Sequence, residues 1–399
     1  MTSNPTTGAQ ASSGVTAPRG FRASGVTAGL KASGKPDVAL VVNDGPLKHA
    51  AAVFTSNRVA AAPVHWSRQA VSDGRADAVV LNSGGANACT GPQGFQNTHA
   101  TAEHVAATLG VSAGDVLVCS TGLIGEQLPM DKLLPGIDAA TRVLGDGGPN
   151  DGGAAAATAI MTTDSVSKEA GFAGTGYAIG GMAKGAGMLA PGLATMLVVL
   201  TTDAVVEPAE LDAALRAATR VSFDRADSDG CMSTNDTVVL LASGASGTSP
   251  DPAEFAAGLA GVCTDLATQL IHDAEGAAHD ITIRTFNAAT EADAEEAGRA
   301  VARSNLFKTA IFGRDPNWGR VLSAVGTTGA AFEPDRLNVA INGVQVCRDG
   351  GIGEDRSLVD LAGRGVLVEI DLNAGTAEAS IWTNDLTHDY VHENSAYSS

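Results

Sequence analysis

Apolar and polar positions follow two different periods along this chain. Short runs rich in β-branched residues, VALVV (Val38–Val42), AVVLN (Ala78–Asn82) and VLVCS (Val116–Ser120), have the length of a single buried strand. Elsewhere apolar residues recur at three- and four-residue spacing, the period of a helix with one buried face. That spacing predicts a helix after Gln93 that ends at Gly110, and a second from Met130 to Leu144. A third covers Ala154–Asp164 and runs into a polar Thr-Thr-Asp end, with a loop at Gly145–Gly153 before it. Further on, MLVVL (Met196–Leu200) reads as a strand, Pro208–Phe223 as an amphipathic helix and Thr237–Gly244 as a strand. A long helix ends at Asp273–Gly276, a strand covers Asp280–Phe286, and one helix covers Ala294–Phe312. The chain from about Leu337 is rich in strands: LNVAING, VLVEIDL and EASIWTN. Some neighbouring strands are separated by helices and others only by turns, which indicates α/β or α+β layers. There is no eightfold alternation, no heptad pattern and no short repeat.

Composition narrows the class. The length of 399 residues suits two or three domains or lobes. With 25 Lys+Arg against 44 Asp+Glu, the net charge of −19 argues against a nucleic-acid or anionic-membrane partner. The acidic residues are dispersed, as on a solvated surface. No apolar run reaches the length of a membrane span. The opening MTSNPTTGAQASSG lacks a basic and an apolar region, so a polar, disordered leader to about residue 17 is expected, in a cytoplasmic protein. Five widely spaced cysteines without a CxxC pair read as reduced thiols, with no zinc site.

The richest stretch chemically is Lys184–Leu200, KGAGMLAPGLATMLVVL. A Gly- and Pro-containing loop runs into Thr195, and a wholly apolar run follows. A hydroxyl at the mouth of a buried strand is a candidate nucleophile. If the Ala194–Thr195 bond is cut, the new α-amine, with an ordinary pKa of about 7.7–8.0, becomes a base for that hydroxyl. A Gly-rich loop before a core strand is the plainer alternative. GAGMLA (Gly185–Ala190) has a dinucleotide-fingerprint spacing but leads into a strand, not a helix, and no Walker-type loop is present. His388 and His392 share a helical spacing but lack a third ligand. STGLIG (Ser120–Gly125) follows a strand and can present backbone N–H groups to an oxyanion. TNDT (Thr234–Thr237), DAEG (Asp273–Gly276) and GRDPNWGR (Gly313–Arg320) are further polar clusters at element ends.

Taken together these segments carry a resemblance. GFRASGVTAGLK, FTSNRVAAAPV, LNSGGANACTG, STGLIG, IMTTD, KGAGMLAPGLATML, STNDT, DAEG, SNLFKTAIFGRDPNWGR and NSAYSS occur in one order over nearly the full length. The chain resembles the bacterial ornithine acetyltransferases, or glutamate N-acetyltransferases, of the ArgJ family of arginine biosynthesis. The resemblance implies an α/β (α+β) layered sandwich with a self-cleaving nucleophile site and a strand-rich C-terminal lobe. It implies cleavage between Ala194 and Thr195 into an α piece, residues 1–194, and a β piece, residues 195–399, usually assembled as α2β2. Thr195 would be the nucleophile, and Thr121 and Gly122 the oxyanion hole. Thr162 (preferred over Thr163), Lys184, Thr195, Glu275, Asn394 and Ser399 would bind the amino-acid substrate. Ser399 departs from the family's usual terminal Thr by one methyl. The implied partners are N-acetylornithine and glutamate, with acetyl-CoA as a further donor left open, and no cofactor or metal is implied. Two other classes stay open beside it. One is a hydrolase of related fold with water as acceptor. The other is an uncleaved amino-acid-binding protein.

Overall fold

A strand that is apolar at every position needs cover on both faces, and the chain supplies it by stacking two sheets between helices. The computed structural model describes residues 14–145, 152–188, 190 and 196–396. The first sheet has the order Phe21–Val26, Val38–Asn43, Ala78–Ser83, Val116–Thr121. Its last two strands are parallel, Ser83 beside Thr121. The helix Gly91–Leu109 makes that crossover, starting at a Pro in its first turn and stopping at Gly110 in the left-handed conformation. The second sheet has the order His49–Phe54, Thr237–Ala242, Leu197–Thr202, Ala178–Lys184, Lys168–Ala173.

The inner faces of the two sheets share one core. Val41, Val79, Leu81 and Leu117 from the first meet Met182, Leu197, Val199 and Leu241 from the second. Each such side chain contributes about 1.5–3 kcal/mol by leaving water. Helices Gly91–Leu109 and Met130–Arg142 cover the outer face of the first sheet. Helices Pro208–Arg220 and Pro252–His272 cover that of the second. The result is four layers, helix, sheet, sheet, helix, which agrees with the layered sandwich expected. A third sheet, of six strands, forms the C-terminal lobe, in the order Gly351–Ile352, Val344–Arg348, Asn338–Ile341, Gly365–Asp371, Asp280–Ala288, Ala377–Asn384. Helices Glu291–Ala302 and Trp318–Val325 pack on its apolar face.

Register decides where chemistry can gather. Leu197 pairs with Thr237 in parallel and with Lys184 in antiparallel fashion. The end of the Lys184 strand therefore lies beside the starts of the strands that follow Met196 and Asp236.

Several expectations need correction. The helix predicted over Ala154–Asp164 runs only Gly153–Ala159. It stops because the Asp164 carboxylate accepts the Thr162 N–H at 2.9 Å, a local turn that competes with helix. The single helix Ala294–Phe312 is two, Glu291–Ala302 and Asn305–Phe312, with Ser304 capping the second by accepting the Phe307 N–H. Residues 14–17 do not belong to a disordered leader. Val15 is fully buried, and its carbonyl accepts from the Thr201 hydroxyl at 2.8 Å. Residues 1–13 and most of the Gly145–Gly153 loop lie outside the described residues. Among the described residues no helix is long and apolar enough to cross a membrane, and no group of His, Cys, Asp and Glu is arranged to hold a metal.

Candidate active site

A cleft of about 120 Å³ opens at this strand end, and its wall includes Thr121, Gly122, Thr162, Lys184, Glu275 and Asn394. These residues come from five separate parts of the chain. Thr121 closes its strand, and its carbonyl accepts from Gly84 N–H at 2.9 Å and Gly85 N–H at 3.0 Å. Gly122 follows at φ 131°. A Cβ there would stand 2.5 Å from the Gly85 nitrogen, so only glycine fits.

Lys184 closes the strand Ala178–Lys184 and is 1% exposed. Its Nζ donates to Thr121 Oγ1 at 3.3 Å. Burial lowers the Lys184 pKa, nearby Asp164 opposes this, and Lys168 adds to the lowering. Among the described residues no carboxylate forms an ion pair with Lys184. An ammonium so placed favours a ligand carboxylate.

Asp164 ties the cleft together. Its Oδ1 accepts from Lys168 Nζ and from Gly185 N–H, both at 2.6 Å, and its Oδ2 accepts from Thr162 N–H. Burial pushes this carboxyl up, but Lys184, Lys168 and the hydrogen bonds outweigh it and bring it down to about 2. Lys168 is fully buried and also reaches Asp273 at 2.6 Å. Lys31 donates to the carbonyls of Met161 at 2.6 Å and Pro36 at 2.7 Å. Burial brings Lys31 down to about 8, against the pull of Asp37.

At the other side of the cleft, Glu275 accepts from Asn394 Nδ2 at 2.9 Å, and its own N–H donates to Ala186. A Cβ on Gly187 would lie 2.5 Å from Glu275 Oε2, so a side chain there would push the Glu275 carboxylate out of its place. Asn394 sits on the helix His388–Ala396. A cation at Lys184 and a carboxylate at Glu275 suit a ligand with both an α-carboxylate and an ammonium.

Of the sequence-derived site residues, six therefore share this cleft. Thr163 lines it as well as Thr162. Ala194, Thr195 and Ser399 lie outside the described residues. Met196, next in the chain after Thr195, donates its N–H to Asp236 Oδ1 at 3.1 Å. The loop Gly313–Arg320 is not part of the cleft wall. Sequence reasoning gave no role to Asp164, Lys168, Asp273, Asn235 or Asp236. Asp164 ends the segment IMTTD and Asp236 lies within TNDT, just before a strand, which is the signal the sequence offers.

The model of the ArgJ family matches residues 22–399. The arginine biosynthesis bifunctional protein ArgJ of Streptomyces coelicolor is 66% identical over 385 residues, 96% of this chain and 100% of its own length. The same-named protein of Thermobifida fusca is 65% identical over 96% of this chain and 99% of its own. A crystal structure of ornithine acetyltransferase from Mycobacterium tuberculosis, complexed with ornithine, is 53% identical over 47% of this chain and 97% of its own, with a TM-score of 0.42. Matched at this identity over nearly all its length, the chain belongs to the ArgJ family of arginine-biosynthetic acetyltransferases.

Proposed function

We propose that this protein transfers acetyl from N-acetylornithine to glutamate through an acetyl ester on Thr195. The supporting observation is the one cleft that holds Thr121, Gly122, Thr162, Lys184, Glu275 and Asn394. Maturation comes first. Thr195 Oγ attacks the Ala194 carbonyl, the C–N bond breaks to leave an ester, and water opens it. The products are the pieces 1–194 and 195–399, paired as α2β2 in the cytoplasm.

Catalysis reuses the hydroxyl. The freed α-amine of Thr195 takes its proton as Oγ attacks the acetyl carbonyl. Thr121 and Gly122 donate to the oxyanion, each donor worth about 2.7–4 kcal/mol in sites of this kind. The amide C–N bond breaks, the proton passes to the leaving amine, and ornithine departs. The α-amine of glutamate then attacks the ester, N-acetylglutamate leaves, and Thr195 recovers its proton. Lys184 meets the α-carboxylate, Glu275 the ornithine side-chain ammonium, and Thr162 and Ser399 complete the pocket. Asn394 orients Glu275 through their hydrogen bond. The similar relatives are bifunctional proteins, which supports acetyl-CoA as a second donor.

The test is an assay of the purified protein with glutamate and each donor separately. N-acetylglutamate should form from N-acetylornithine and from acetyl-CoA. Release of acetate with no response to glutamate would assign the protein to hydrolysis.

A further inference from the structure

Two adjacent buried residues fasten the halves of the cleft to each other. They stand just before the strand Thr237–Ala242, which pairs on one side with Leu197–Thr202. Asn235 is 5% exposed, and its Nδ2 donates to Ala86 O at 2.6 Å and Ser120 O at 2.8 Å. Its Oδ1 accepts from the Thr234 hydroxyl, so the orientation of the amide is set. Both amide hydrogens thus grip the oxyanion side, one at the last strand of the first sheet and one at the turn beside it. Ser120 O belongs to the peptide leading into Thr121. Ala86 follows the Gly84–Gly85 turn that binds the Thr121 carbonyl.

Asp236 is fully buried and grips the other half. Its Oδ1 accepts the Met196 N–H, and its own carbonyl accepts from Thr55 N–H at 2.9 Å. We propose that Asn235 and Asp236 are a positioning pair that sets the oxyanion donors Thr121 and Gly122 against the nucleophile. The inference rests on the reading of Thr195 given above. One residue holds the strand end on the oxyanion side. The next holds the amide that follows Thr195 in the chain. A shift of either changes the distance on which attack depends. Burial holds the Asp236 carboxyl well above the ordinary carboxylate range, against the opposing effects of the Met196 N–H, Ser233, Lys184 and Thr55. What the pair requires at 236 is an acceptor that reaches the Met196 N–H.

Three variants test this, each checked for folding by thermal melting. Asp236→Ala removes the tether to Met196. Asn235→Asp replaces two donors with acceptors. Each should slow self-cleavage and lower kcat by about 100-fold with KM little changed, the size expected from a misplacement of about 1 Å. Asp236→Asn keeps an acceptor oxygen of the same reach for the Met196 N–H and should rescue what Asp236→Ala loses. Folded Asp236→Ala and Asn235→Asp proteins with wild-type kcat overturn the proposal. So does a folded Asp236→Asn protein as slow as a tether-free one, which also decides the matter if Asp236→Ala does not fold. Thr195→Ala, run alongside, separates the two failures. If it cleaves and turns over, the nucleophile assignment falls. If it is inert while the pair variants are normal, only the positioning role falls.

Discussion

Replacing Asp164 with Asn is the most telling test of how the cleft is held. The carboxylate accepts on both oxygens, from Lys168 and Gly185 on one and from Thr162 on the other. An Asn has one acceptor oxygen, and its NH2 must face a donor on the other side. The change also removes the charge between Lys168 and Lys184. The carboxyl sits at about 2 against an ordinary 3.8, which at 1.36 kcal/mol per pH unit corresponds to about 2–3 kcal/mol. A buried donor left unpaired adds about 1 kcal/mol or more. For 399 residues, an unfolding entropy of about 2.1 cal/mol/K per residue turns about 3 kcal/mol into a Tm fall of about 4 °C. Because the folded pKa lies below the unfolded one, the stabilisation is complete above about pH 4 and is lost as pH falls towards 2. Scanning calorimetry of both proteins at pH 7 and along an acid series reads this directly. The difference in Tm should be full at pH 7 and shrink below pH 4. Steady-state kinetics should show a higher KM for both amino-acid substrates, since the amide NH2 displaces either the Thr162 or the Gly185 main chain. A variant with wild-type Tm and KM at pH 7 refutes the reasoning.

Other outcomes follow from the same geometry. Thr121→Val keeps the shape but removes the hydroxyl, so kcat should fall by about 10²–10³-fold, with a smaller rise in KM because Lys184 Nζ loses an acceptor; unchanged turnover removes Thr121 from the oxyanion hole. Gly122→Ala forces a Cβ to 2.5 Å from the Gly85 nitrogen at φ 131°, so it should displace the strand end and lower kcat and Tm together; a normal Tm and kcat would contradict the close approach. On the proposed role of Ser399 in the pocket, a tag after it should raise KM and leave the proposed cleavage at Ala194–Thr195 intact, as measured by gel and kinetics.

Much of this architecture is legible in the sequence because burial on both faces leaves unbroken apolar runs. Val38–Asn43, Ala78–Ser83, Val116–Thr121 and Thr237–Ala242 are of that kind. Strands such as Ala178–Lys184, AIGGMAK, are not legible, since two central glycines carry no β preference and only the neighbouring strands make the segment extended. The Thr162–Asp164 turn was hidden for a related reason. Its alanine-rich lead-in favours helix, and only the Asp164 side chain ends it. The cleft residues were reached through motif order, not through contact, so their ligand-like side chains were visible. Asp164, Lys168 and Asp273 were not, because a charged residue in a sequence reads as surface until its buried partner is known. Asn235 and Asp236 are hidden likewise. Their roles come from hydrogen bonds to main chain about 40 to 150 residues away.

The central claim is that Thr195 begins a separate chain and carries the acetyl group. Mass spectrometry of the purified protein after incubation with N-acetylornithine alone, followed by peptide mapping, tests it most directly. The account predicts two polypeptides divided between Ala194 and Thr195, one acetyl group on the Thr195 hydroxyl, and its loss when glutamate is added. An uncut chain that turns over at full rate, or an acetyl group that stays on the protein in the presence of glutamate, would contradict it.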